Sequence, residues 1–128
     1  MREFEPLFSN AHLATLAASF WPRAIDEQHY PTRPVIYDTE PGTRILVHEN
    51  RPAGPVRGEV IIHHGLEGSS ASGYMISLAQ EMASAGYAAH RLNMRSCGGT
   101  EHLTPTLYHS GLTVDVRTLA ERFIAEGR

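Results

Sequence analysis

The chain has 128 residues, 41% hydrophobic and 20% charged, with a formal net charge of −3, a composition that supports one packed domain and excludes disorder as the default. The eleven basic residues are all arginines and lie scattered along the chain, which excludes a P-loop lysine, a Schiff-base lysine and a basic field that would draw nucleic acid. A single cysteine, Cys97, excludes an internal disulfide and points to a reducing compartment, the cytoplasm.

Residues 1–34 read as a lead-in that lies across a core built later. They are punctuated by Pro6, Pro22, Pro31 and Pro34, and one short helix is expected from Ala11 to Phe20, capped by Asn10. The apolar run Leu13 to Trp21 is interrupted by Thr15 and Ser19, unlike a secretion signal, and no stretch is long enough for a bilayer span. Residues 35–128 read as a partial α/β domain. Val35 to Asp38 and Thr43 to Asn50 are β-rich runs on either side of Glu40-Pro41-Gly42, which predicts a hairpin.

Val60-Ile61-Ile62 is continuously apolar, as expected of a strand covered on both faces, and it ends at His63-His64-Gly65. From Ser72 to Ala85, the residues Met75, Leu78, Ala79, Met82 and Ala83 follow helical spacing, with Gly86 at the position of a C-terminal stop. Tyr87 to Leu92 returns as a strand. Val116, Leu119, Ala120, Phe123 and Ile124 repeat the helical spacing before Gly127, with Ser110 a candidate cap and Asp115 near the helix start. A hairpin followed by β-α-β and a further helix places the chain in the α/β class, with ligand contacts expected at the carboxyl ends of the strands.

The segment His63-His64-Gly65-Leu66-Glu67-Gly68-Ser69-Ser70 carries the chemistry. It joins a strand to a helix N-terminus, and its glycines allow a sharp turn that leaves backbone N–H groups free, as stabilising an oxyanion requires. The plain reading of the same residues is a βα turn in which Ser70 or Ser72 caps the helix. Metal binding by His63, His64, Glu67, His90, His102, His109 and Asp115 is disfavoured. No histidine pair has i, i+4 helical spacing, and alternation along a strand puts His63 and His64 on opposite faces. Cys97 reads as a small residue in a glycine-rich turn, although Arg95 nearby could lower a thiol pKa.

Several motifs in order resemble the α/β-hydrolases, and within them the YheT-like branch. They are Ser9-Asn10-Ala11-His12-Leu13, His64-Gly65-Leu66-Glu67-Gly68-Ser69, Ser72-Gly73-Tyr74, Asn93-Met94-Arg95-Ser96-Cys97-Gly98-Gly99 and Tyr108-His109-Ser110-Gly111. The resemblance implies the N-terminal part of an α/β-hydrolase fold, with an antiparallel hairpin plus parallel βαβ strands and flanking helices. It also implies a parent protein that hydrolyses carboxylic esters, lipid-like or short-acyl, without a cofactor. By that analogy the backbone N–H of Leu66 is one oxyanion-hole donor, and His64, Gly65, Glu67 and Gly68 line the substrate side.

The family's nucleophile sits in a G-x-S-x-G elbow, and no serine here fits that pattern. The chain alone is therefore expected to be inactive, with nucleophile, acid and base outside it. The family's strand order also implies that the strand ending at His64 is an unpaired apolar edge prone to self-association. Two alternatives stay open. One is a complete non-catalytic module gripping an anionic ligand through the helix-start N–H groups; the other is that another polypeptide supplies the missing half or a strand-swapped homodimer closes the edge.

Overall fold

The structure, a computed structural model, describes Pro6 and residues 8–128. Its elements are α1 (Ala11–Phe20), β1 (Thr32–Glu40), β2 (Thr43–Asn50), β3 (Glu59–His63), α2 (Gly73–Ser84), β4 (Ala88–Leu92), a one-turn 3-10 helix (Glu101–Leu103) and α3 (Val114–Ala125). Four strands form one sheet in the order β1-β2-β4-β3. The hairpin pairs antiparallel from Thr32 opposite Asn50 to Glu40 opposite Thr43, β2 pairs antiparallel with β4, and β3 runs parallel to β4. Gly42 turns the hairpin at φ 74°, a conformation that costs glycine nothing.

β4 is central, and all five of its residues are buried. Two apolar clusters lie against the sheet. One gathers Tyr37, Ile45, Val47, Leu92 and Met94 beneath Leu119 and Phe123 of α3; the other gathers Ile62 and Ala89 beneath Met75 and Ala79 of α2. Helices on both faces of the sheet make the architecture mixed α/β. Both helices end in paired backbone bonds around a left-handed glycine. Tyr87 N–H reaches Met82 O and Gly86 N–H reaches Ala83 O after α2, and Arg128 N–H reaches Phe123 O and Gly127 N–H reaches Ile124 O after α3.

Several expectations need correction. β1 is longer than Val35 to Asp38 and includes Pro34, which a strand tolerates at a sheet edge. β3 packs on both faces, Ile61 against the α3-side cluster and Val60 and Ile62 against the α2-side one, but only Ile62 is fully buried, as the strand lies at the other edge of the sheet. Leu78 is 46% exposed and Ile124 77% exposed, although their spacing placed both on core faces. Each helix packs on a single sheet face, so its buried stripe is narrower than its apolar one. Thr113, rather than Ser110, stands at the N-cap of α3. Asn10 caps α1 as expected, accepting from the N–H groups of His12 and Leu13; α1 buries none of its own residues, while Ile25 beyond it packs against the α2-side cluster. Among the described residues, no helix is long and apolar enough to cross a membrane.

At the foot of the sheet, His90 is fully buried, with Nε2 2.5 Å from Glu59 Oε2 and Nδ1 3.8 Å from Glu49 Oε2. Arg51 and Arg128 complete the cluster. Burial lowers the pKa of His90 against the opposing pull of the two carboxylates, and burial likewise lowers those of His48 and His63.

Two predictions follow from this packing. Leu119→Ala removes a fully buried side chain and lowers the unfolding free energy by about 2–5 kcal/mol, whereas Ile124→Ala changes it by less than about 0.5 kcal/mol, both read from denaturant midpoints. Histidines with a depressed folded-state pKa bind fewer protons folded than unfolded, so stability rises with pH through that window. The denaturant midpoint accordingly falls as pH drops below the ordinary histidine value of 6.5. It falls further below the ordinary carboxylate value of 4.5, where Glu49 and Glu59, whose pKa values are lowered, take up protons.

Candidate functional site

The loop from the end of β3 to the start of α2 lies at the carboxyl end of the parallel strands. His64 is 2% exposed, and both of its ring nitrogens are engaged. Met94 N–H donates to Nε2 at 3.0 Å, so the proton sits on Nδ1, which donates to Gly65 O at 2.8 Å. Its ring stacks on that of His63 with centroids 5.8 Å apart. Strand alternation does not separate the two because β3 ends at His63.

Gly68 N–H also donates to Gly65 O, at 3.0 Å, closing a turn over Gly65–Gly68 with Glu67 at φ 55°. This is the φ pattern of a type II turn, whose third position ordinarily takes Gly or Asn. Gly68 itself is held to glycine by space. A Cβ there would lie 3.1 Å from Gly65 O and equally close to the His64 ring.

The N–H groups of the loop can be accounted for one by one. Gly65 N–H donates to Tyr74 Oη at 2.7 Å, Glu67 N–H to Tyr108 Oη at 2.9 Å, Ser69 N–H to Ser72 Oγ at 3.0 Å and Ser70 N–H to Asn93 Oδ1 at 2.8 Å. Ala71 N–H reaches Ser69 Oγ and Ser72 N–H reaches Ser69 O. From Gly65 to Ser72, among the described residues, only the N–H of Leu66 has no acceptor, and Leu66 is 83% exposed. Ser72 stands at the N-cap of α2, yet its hydroxyl serves the loop rather than the helix.

Asn93, Met94 and Arg95, directly after β4, hold this end of the molecule together. Asn93 receives Ser70 N–H and donates to Leu46 O at 3.2 Å. Gly98 packs against it so closely that a Cβ would lie 2.5 Å from Asn93 Oδ1. Arg95 is buried and forms two bonds to Asp115, Nε to Oδ2 at 2.8 Å and Nη2 to Oδ1 at 2.7 Å, with further bonds to Glu40 and Thr106. Those partners, Asp115 foremost, raise its pKa and keep it charged. Cys97 is buried and its pKa is raised by burial, with Glu101 and Glu67 adding to the effect. Arg95 therefore does not activate it.

Sequence reasoning missed Tyr74, Tyr108 and a Ser–His contact in which His48 Nδ1 lies 2.7 Å from Ser70 Oγ. Ser70 is 2% exposed and its carbonyl accepts from Arg91 Nη1 at 2.6 Å, so the pair braces the loop from beneath. Only the Ser69–Ser72 neighbourhood gave any local hint; the other partners are distant in sequence. Among the described residues, no group of three His, Cys, Asp or Glu side chains gathers as a metal set.

No family model matches the chain. It is 30% identical over 115 residues to the candidate esterase YheT of Escherichia coli (strain K12), covering 88% of this chain. The match spans 34% of that relative, about a third of its length. Among solved structures it is similar to XC6422 of Xanthomonas campestris, described as an α/β serine hydrolase without lid. There the TM-score is 0.61 at 22% identity, over 74% of this chain and 45% of that one. It is also similar to the esterase Est22, with a TM-score of 0.58 at 18% identity, over 80% of this chain and 33% of that one. Its sheet order, its flanking helices and these likenesses give the chain the fold of the α/β-hydrolases, of which it carries the hairpin and parallel strands.

Proposed function

We propose that this chain supplies the oxyanion-binding loop of a serine hydrolase acting on carboxylic esters, with the Leu66 N–H as one donor. A single observation carries the reading. From Gly65 to Ser72 every N–H but that of Leu66 is bonded, at the carboxyl end of β3 where ligands of α/β folds bind.

When a serine attacks the ester carbonyl, the carbonyl oxygen becomes an oxyanion, and a fixed N–H aimed at it stabilises that charge without reorganising. The Leu66 N–H fills this role, beside a second N–H from the residue after the nucleophile. His64, with both nitrogens committed to backbone groups, shapes the loop rather than touching substrate. Gly65 and the exposed Glu67 border the donor, while Gly68 closes the turn beneath it. No serine of the chain stands in G-x-S-x-G, so nucleophile, acid and base belong to protein outside it. The reaction calls for no cofactor. The single, buried thiol supports a reducing, cytoplasmic setting.

The turn offers a clean test. The second position of a type II turn takes φ near −60°, which suits proline, so Leu66→Pro deletes the N–H while keeping the backbone path. In the longer protein that carries the nucleophile, kcat falls about 100- to 1000-fold with KM and melting temperature unchanged; an unchanged kcat discards the oxyanion role.

A fluorophosphonate probe labels that longer protein and leaves the 128-residue chain unlabelled. Labelling of the short chain at Ser69, Ser70 or Ser110 would reverse the assignment. The open edge of β3 makes the chain alone self-associate. Light scattering coupled to size exclusion reads this directly, and a strict monomer counts against it.

A further inference from the structure

We infer that Tyr74 and Tyr108 are positioning residues that hold the turn so that it presents the Leu66 N–H alone, an inference that rests on the oxyanion reading above. Three consecutive peptide units cross the turn. The first, His64–Gly65, is held through Gly65 N–H by the Tyr74 hydroxyl at 2.7 Å. The second, Gly65–Leu66, is held through its carbonyl by His64 Nδ1–H and Gly68 N–H, which directs its N–H the opposite way, outward. The third, Leu66–Glu67, is held through Glu67 N–H by the Tyr108 hydroxyl at 2.9 Å.

The third unit is the vulnerable one. Glu67 sits at φ 55°, a conformation strained for a residue with a Cβ, and a flip of the Leu66–Glu67 unit relieves it by converting type II to type I. The flip would turn the Leu66 carbonyl oxygen to where Glu67 N–H now points, replacing a donor by an acceptor in the peptide unit next to the Leu66 N–H. Tyr108 opposes this, and its ring is fixed by packing against the cluster under α3. Tyr74 reaches the loop independently, from the first turn of α2. The bracket thus joins both layers of the fold to one N–H.

Tyrosine to phenylalanine removes only the hydroxyl in each case. Amide exchange by NMR on the 128-residue chain is expected to show Leu66 exchanging fast, and Gly65 and Glu67 protected. Tyr74→Phe then speeds Gly65 about tenfold and Tyr108→Phe speeds Glu67 about tenfold, the weight of one hydrogen bond. In the longer, nucleophile-bearing protein, Tyr108→Phe lowers kcat about tenfold or more with KM and melting temperature unchanged, the mark of a transition-state effect. Unchanged exchange at both amides overturns the inference whatever the kinetics. Faster exchange with kcat intact in Tyr108→Phe, while Leu66→Pro loses kcat, also overturns it but leaves the oxyanion reading standing. If Leu66→Pro keeps full kcat, the oxyanion reading itself has failed.

Discussion

A guanidinium inside a protein must have its N–H donors met, and Arg95 meets that demand from three directions. Its pair of hydrogen bonds to Asp115 fixes the first turn of α3, its hydrogen bond to Glu40 fixes the hairpin end of β1, and its hydrogen bond to Thr106 fixes the loop before α3. Removing one partner of such a buried array costs about 3–5 kcal/mol, because the charge left behind is unpaired. The two residues before it finish the work on the other side: Met94 N–H sets the tautomer of His64, and Asn93 captures Ser70 N–H. The short stretch after β4 is therefore where hairpin, helix and loop are brought into register, and the exposed donor at Leu66 depends on it.

Much of this was legible beforehand because it is local. Hydrophobic spacing located α2 and α3, Gly86 and Gly127 marked their ends, and Asn10 announced α1. Spacing overstated burial, however. Leu78 and Ile124 lie on the apolar stripes of helices that touch only one sheet face, so the chain has nothing further to cover them with. For β3 the apolar run marked packing on both faces, Ile61 on one cluster and Ile62 on the other, but did not show that an edge strand leaves most of its residues half-buried.

The loop was found from sequence, but the reason it presents one donor was not. Tyr74 lies on a helix and Tyr108 in a loop, and nothing in either neighbourhood signals that its hydroxyl will accept an N–H from Gly65 or Glu67. The His48 contact with Ser70 is hidden in the same way, since strand β2 brings the imidazole to the loop only once the sheet has formed. Arg91 belongs to this class too. It is buried without a carboxylate in contact, and it spends its donors on Ser70 O, Asn50 and Thr32. Hydrogen bonds of high sequence separation leave no periodic trace, and so the polar scaffold beneath the turn emerges only in three dimensions.

Gly98 shows how far this dependence reaches. It lies beyond β4, away from the turn in sequence, and its own backbone contacts no loop N–H. Yet any side chain there would push on Asn93 Oδ1, the acceptor of Ser70 N–H. A change at this codon would be scored genetically as a defect of the oxyanion loop, and a screen for inactive variants would return Gly98 alongside Leu66 though only Leu66 offers an N–H to the site.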